Sequence, residues 1–223
     1  MRRLACLLLL AATLVAQGIP AQNQHPISGR TYAHVMGAGG ADWLVRPERE
    51  GEEQPGKALD LLQIAKGSTA ADIGAGAGYI TWRLAERVGP TGKVYANDIQ
   101  PEMLDLLRRN MRERKLENVE PILGAVDNPK LPAAAMDLVI LVDVYHEFSE
   151  PQKMLRKIRE SMKPDGRLVL LEYRGEDPKI PIRAEHKMTV AQVKTELEPE
   201  GFKLDKVLED LPRQHILIFR KAP

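Results

Sequence analysis

Two stretches of this 223-residue chain are apolar almost without interruption, "MDLVILVDV" at 136–144 and "GRLVLLEY" at 166–173. A strand with one wet face alternates apolar and polar residues; a strand covered on both faces need not. The two runs therefore predict central strands of a mostly parallel sheet flanked by helices. Further strand candidates fall at 69–73, 93–97, 120–124, 203–208 and 214–220, and helix candidates at 79–88, 101–115, 150–163 and 189–199. "KALDLLQIA", from Lys57 to Ala65, adds another helical stripe. This alternation means a doubly wound α/β sheet. The order changes after the last helix, where "FKLDKVLEDLPRQHILIFRK" offers two strands around "EDLPR" and no helix between them. These form a hairpin, so the final strand enters the sheet antiparallel.

Composition narrows the function. Lys and Arg number 32 against 31 acids, and aromatics are 4%, so neither a basic footprint nor a stacking surface for nucleic acid is present. The expected partner is a small-molecule substrate. At the N-terminus, "MRR" precedes the thirteen-residue apolar run "LACLLLLAATLVA" and then "QGIPAQNQHP". Charge, short apolar run and small residues together read as a secretory signal over residues 1–21, cleaved after Gly18 or Ala21, with an uncleaved anchor as the alternative. The run falls short of the roughly 20 residues that span a bilayer. The expected location is therefore periplasmic or secreted, with no stable membrane anchor once the signal is removed. Cys6, the one cysteine, lies inside that run, so the mature chain would lack thiol chemistry altogether. Residues 22–56 read as a polar, mostly irregular lead lying across one face of the 57–223 domain, with the charge run "RPEREGEEQPG" a solvated surface.

The segment "ADIGAGAGYITW" at 71–82 carries the strongest local signal. A strand ending at Ile73 delivers Gly74, Ala75, Gly76 and Gly78 to a helix start, and missing side chains there let a ligand approach the backbone. The spacing is G-x-G-x-G, not the G-x-G-x-x-G of a dinucleotide fingerprint, and Asp72 stands two residues before the first glycine. Twenty residues past Gly78 a second strand ends at Asp98 in "VYANDIQPEML". A carboxylate there suits the hydroxyls of a ribose, with Ile99 against an adenine face, or else caps the helix that begins near Pro101.

In combination, "ADIGAGAG", "ANDIQPEML", "GAVDNPKLP", "MDLVILVDVYHEF" and "MKPDGRLVLLEYR" resemble the class I S-adenosylmethionine-dependent methyltransferases over about residues 57 to 221. The last two segments resemble the small-molecule branch that includes quinone C-methyltransferases. The resemblance implies a Rossmann-like, seven-stranded sheet with an antiparallel last strand, and S-adenosylmethionine as cofactor. It places Asp72 and the glycine loop at the methionine part, Asp98 at the ribose, Asp127 at the adenine amino group and Asp143 at the pocket wall. A sulfonium is already a strong electrophile, so the protein chiefly aligns an acceptor with it. His146 is the candidate proton acceptor, with Glu147 or Glu172 orienting it; His186, Lys187 and His215 are weaker candidates. His146, Glu147 and His186 have ligand chemistry, but no spacing such as H-E-x-x-H supports them, so no metal is expected. The expected activity is methyl transfer to a small acceptor through O, N, S or activated carbon. A nicotinamide-dependent oxidoreductase and a non-catalytic exported binding protein are the alternatives.

Overall fold

The computed structural model describes residues 23–223, so the expected secretory signal lies outside the described residues. Along the chain run α1 (Ala41–Leu44), α2 (Arg49–Glu52), α3 (Pro55–Leu61), β1 (Thr69–Ile73), α4 (Thr81–Val88), β2 (Lys93–Asp98), α5 (Pro101–Glu113), β3 (Val119–Leu123) and β4 (Met136–Val142). They are followed by α6 (Pro151–Ser161), β5 (Met162–Arg174), β6 (Lys187–Met188), α7 (Val190–Leu197), β7 (Phe202–Leu208) and β8 (Gln214–Lys221). The strands lie in the order β3-β2-β1-β4-β5-β8-β7, with the two-residue β6 paired to the end of β5. All neighbours from β3 to β5 are parallel, and β8 is antiparallel to both β5 and β7. The expected seven strands and terminal hairpin are present; β6 is an addition.

The continuous apolar runs sit where expected, at the middle of the sheet. Leu138, Ile140, Val169, Leu171, Ile216 and Ile218 face α3 and α4 through Leu59, Leu84 and Val88. Val139, Leu141, Leu168, Leu170, Leu217 and Phe219 face Met154, Leu155 and Ile158 of α6 and Val193 and Leu197 of α7. Successive residues on each strand thus fill two separate cores, each fully buried aliphatic side chain stabilising by about 1.5–3 kcal/mol. Proline at the first helical position starts α5 and α6, and a Thr189–Gln192 capping box starts α7.

Several boundaries differ from the sequence reading by a few residues, two of them for identifiable reasons. The helix expected from 79 begins at Thr81, because the Gly78 N–H donates to the Ala75 carbonyl at 2.9 Å and holds the preceding residues in a turn. The strand expected from 166 already pairs at Met162, with a register shift opposite Met136 and Leu138 that absorbs the turn residues between.

The lead segment is not irregular throughout, and its charge run is a solvated surface only in part, with Glu48 and Glu50 exposed. Arg49 is 6% exposed and Glu53 2%. The Arg49 Nε donates to Glu53 Oε2 at 2.5 Å, and the Tyr173 hydroxyl at the end of β5 donates to Glu53 Oε1 at 2.7 Å. Upstream, Arg30 donates through Nε and Nη2 to the two oxygens of Glu196 on α7, at 3.0 and 3.1 Å, and through Nη1 to the His146 carbonyl at 2.9 Å. The lead is a strap stapled across the C-terminal edge of the sheet. Its sequence shows only charge; that the charges are internal depends on partners more than a hundred residues away.

Removing Arg30 leaves a fully buried Glu196 carboxylate without its bidentate partner. Arg30→Ala is expected to cost about 3–5 kcal/mol, as when one member of a buried pair is deleted. Urea unfolding followed by circular dichroism checks this, and a loss below about 1 kcal/mol would show that the strap is not held by this pair.

Candidate active site

The strand order reverses between β1 and β4, and a crevice opens at the carboxyl ends of strands at such a point. A cavity of about 820 Å³ lies there, bounded by the glycine loop after β1, the tip of β2, the turn after β4 and the strap. Of the residues expected to bind a cofactor, Asp72, Gly74, Ala75, Gly76, Asp98, Ile99 and Asp143 line it, as do His146 and Glu147.

Three expected residues do not line it. Gly78 faces away; a Cβ there would meet Met111 Cε at 2.9 Å and Leu107 Cγ at 3.1 Å, both on α5. Its missing side chain lets helix and loop pack. The same holds in part for its neighbours: a Cβ on Gly74 would be 2.5 Å from Val144, and one on Gly76 2.9 Å from Leu44. All three glycines have positive φ, at 71°, 54° and 88°. The loop thus has glycine because of its backbone conformation and three protein neighbours, not because of ligand approach alone. Asp127 also stays off the cavity, where the adjacent Val126 takes its place, because a tight turn bridges Ala125 and Asn128 and carries Asp127 past the edge. Glu172 is wholly buried behind His146 and touches the cavity only through it.

Asp98 does two jobs. Its Oδ2 accepts from the Gly76 N–H and its Oδ1 from the Gln100 N–H, each at 2.9 Å. The carboxylate therefore fixes the glycine loop and the turn that precedes α5 while still facing the cavity. Asp72 is 2% exposed and accepts from the Thr81 hydroxyl at 2.6 Å. Burial pushes its carboxyl up to about 6; Thr81 and Arg49 oppose that rise and Asp98 adds to it. Asp143, with φ of 54°, turns the chain sharply at the end of β4. Its Oδ2 accepts from Gln214 at 2.7 Å, and its Oδ1 has no hydrogen-bond partner among the described residues. Burial, then Glu53 and Glu172, raise it well above the ordinary carboxylate range.

At the other end, Glu172 accepts from the Tyr145 N–H at 3.1 Å and pairs with His146 Nδ1 at 2.6 Å. Burial would lower the imidazole's pKa, but the adjacent Glu172 charge raises it overall. His146 Nε2 lies 3.1 Å from His186 Nδ1, and Glu147 completes a group whose donor atoms all fall within 4.8 Å. His186 was a weak candidate on sequence because 40 positions separate it from His146; pairing of β6 with β5 brings them together. Arg49, Glu53 and Tyr173, also on the cavity wall, had no sequence signal beyond the charge run and the strand end.

The sequence profile of the family described as a methyltransferase domain matches residues 64–211. Among curated relatives, a protein-L-isoaspartate O-methyltransferase of Methanothrix thermoacetophila is 32% identical over 111 residues, half of each chain. A demethylmenaquinone methyltransferase of a Geobacillus species is 32% identical over 114 residues, 51% of this chain and 49% of that protein. The chain spans about half the length of the curated relatives it matches. A solved SAM-dependent methyltransferase from Aquifex aeolicus superposes with a TM-score of 0.78 at 27% identity, covering 83% of this chain and 98% of that one.

Asp72 gives the site a pH signature. A cationic ligand favours its ionised form, so binding must first remove the proton that Asp72 carries below pH of about 6. Through Asp72, affinity for S-adenosylmethionine is expected to fall up to about tenfold per pH unit below 6. Asp98, which burial also raises, and Arg49 are the charged groups facing Asp72. Calorimetric titration at several pH values checks this: Asp72→Asn should bind more weakly and flatten the profile, and an unchanged profile in that variant would assign the proton elsewhere.

Proposed function

The chain belongs to the methyltransferase domain family, and on that premise we propose that it transfers a methyl group from S-adenosylmethionine to a small-molecule acceptor held in this cavity. The observation that carries the reading is the convergence of Asp72, Asp98 and Asp143, from the ends of three adjacent strands, on one cavity beside the glycine loop. Buried acids at this density suit a ligand that carries positive charge on sulfur and nitrogen. The unpartnered Asp143 Oδ1 is an acceptor without a donor, which an ammonium group would satisfy. The volume lies toward the upper end of the roughly 300–1,000 Å³ of small-ligand sites, enough for a cofactor and an acceptor together.

S-adenosylmethionine supplies the activated methyl group; this chain's residues position, shield and take up a proton. Asp98 and Ile99 present a carboxylate and an apolar side chain to the nucleoside. The strap, through Trp43 and Leu44, supplies part of the cavity wall. His146, with Nδ1 occupied by Glu172, turns Nε2 toward the acceptor end and is the group placed to receive a proton there. Glu172 acts through His146 as a positioning residue.

The mouth is apolar. Val35, Met36, Trp43, Ile99 and Val126 line it and remain exposed, Trp43 by 52%. This supports an acceptor with a sizeable apolar body, as does the name of the demethylmenaquinone methyltransferase relative. The resemblance of segments 136–148 and 162–174 to quinone C-methyltransferases supports the same class. Export to the periplasm or exterior is the companion proposal, supported by the charge and apolar pattern of residues 1–21.

Two variants separate binding from chemistry. Asp98→Ala is expected to weaken S-adenosylmethionine by about 10- to 100-fold, from the loss of charge-assisted hydrogen bonds. His146→Ala should leave that affinity within about twofold and slow turnover by about 10²–10⁴-fold. Calorimetry measures the first and a tritiated-methyl transfer assay over phenolic and quinol acceptors the second. Wild-type protein that fails to bind S-adenosylmethionine would sink the reading.

A further inference from the structure

We propose that His146, Glu147 and His186 form a binding site for one divalent transition-metal ion at the acceptor end of the cavity. Binding of the ion stands on these side chains alone; what the ion does there rests on the methyl-transfer reading.

Geometry comes first. The three side chains offer two imidazole nitrogens and a carboxylate oxygen, all within 4.8 Å of one another. Two ligands each about 2.1 Å from one ion stand roughly 3.0–3.4 Å apart for angles between square and tetrahedral. His146 Nε2 and His186 Nδ1 are 3.1 Å apart, with rings nearly perpendicular at 82°. A Glu147 carboxylate oxygen lies within 4.8 Å of both nitrogens.

The support behind the ligands is also that of a metal site. A metal-binding histidine ordinarily gives its second ring N–H to a carboxylate, which sets the tautomer and directs the other lone pair at the ion. Glu172, with no solvent exposure, does this to His146 Nδ1 at 2.6 Å and is itself fixed by the Tyr145 N–H. The backbone of His146 is held as well, its carbonyl accepting from the Ala33 N–H and from Arg30. The first ligand is therefore preorganised by two independent parts of the chain.

Charge balance points the same way. Glu147 makes no ion pair among the described residues, and Glu172 has only His146 within ion-pair distance. Two carboxylates therefore stand at this end of the cavity with one imidazole between them. A divalent cation supplies the balancing charge.

Two nitrogens and one oxygen select among metals. Magnesium and calcium favour all-oxygen sets, whereas zinc, cobalt, nickel and ferrous iron accept imidazole with carboxylate. Three protein ligands leave at least one coordination position, and it faces the cavity. With the ion on Nε2, His146 serves as a ligand in place of proton acceptor, and an acceptor hydroxyl bound to the ion would lose its proton to solvent at a lower pH than when free, because the ion stabilises the oxyanion. The acceptor class this implies is a phenol or other hydroxyl compound.

The test uses the full folded protein after dialysis against a chelator. Zinc titration by calorimetry, and cobalt titration followed by visible absorption, should both give one ion per chain. His186→Ala and Glu147→Gln, each shown to be folded by circular dichroism, should weaken zinc by more than roughly tenfold. No saturable binding up to about 1 mM zinc, or unchanged affinity in both variants, would overturn the site. S-adenosylmethionine titration of the same samples keeps the two proposals apart. Zinc bound without S-adenosylmethionine binding leaves the metal site standing and removes the methyl-transfer reading; the reverse removes the metal site alone.

Discussion

A carboxylate sealed from solvent at the end of a central strand must be answered by the protein itself, and Glu172 imposes that demand on everything around it. Burying a charge costs several kcal/mol unless hydrogen bonds and an opposite charge replace the lost water. Here the replacements are the Tyr145 N–H and the His146 ring, so the chain leaving β4 must fold back at once toward β5. The left-handed Asp143 provides that reversal, and the short 3-10 turn at Tyr145–Glu147 completes it. Arg30, reaching the His146 carbonyl from the strap, locks the result. The position of the His146 imidazole on the cavity wall is thus a consequence of where a negative charge was buried.

How legible this was depended on the range of the interactions involved. The sheet could be read because continuous apolar runs, proline at helix starts and a helix-free hairpin are local patterns, and each has a physical cause that acts within a few residues. Asp98 could be read for the same reason: it ends a strand, follows a glycine loop and precedes Pro101. Gly78 could be read only by half. Its positive φ and lack of a side chain are required, but by Leu107 and Met111 rather than by a ligand, and sequence does not tell one close neighbour from another. Asp127 fell the wrong way because a turn of four residues decides which of two adjacent side chains meets the cavity.

The charge run at 46–56 was the largest misreading. On composition alone, alternating Arg and Glu belong in water. In the structure Arg49 and Glu53 answer each other and Tyr173, and their neighbours Glu50 and Arg83 pair beside Tyr79. Arg49 and Glu53 are internal because β5 ends beneath them, while Glu50 stays at the surface. The same distance effect left the His146, Glu147 and His186 group readable by residue type but without a supporting spacing; a two-residue strand docked on the end of β5 brings it together.

The strap also sets an order of events during synthesis. Ser28 donates to Glu196 across 168 positions, and Arg30 makes its bidentate pair with the same acid. A growing chain has β1, the glycine loop and Asp98 long before α7 exists to receive that arginine. Contacts of such sequence separation close late, since the entropy of the intervening loop must first be overcome. A nascent chain can therefore build the glycine-loop half of the cavity early and complete its outer wall only near the end of translation, so a closed cavity is itself a report that the whole domain has been made.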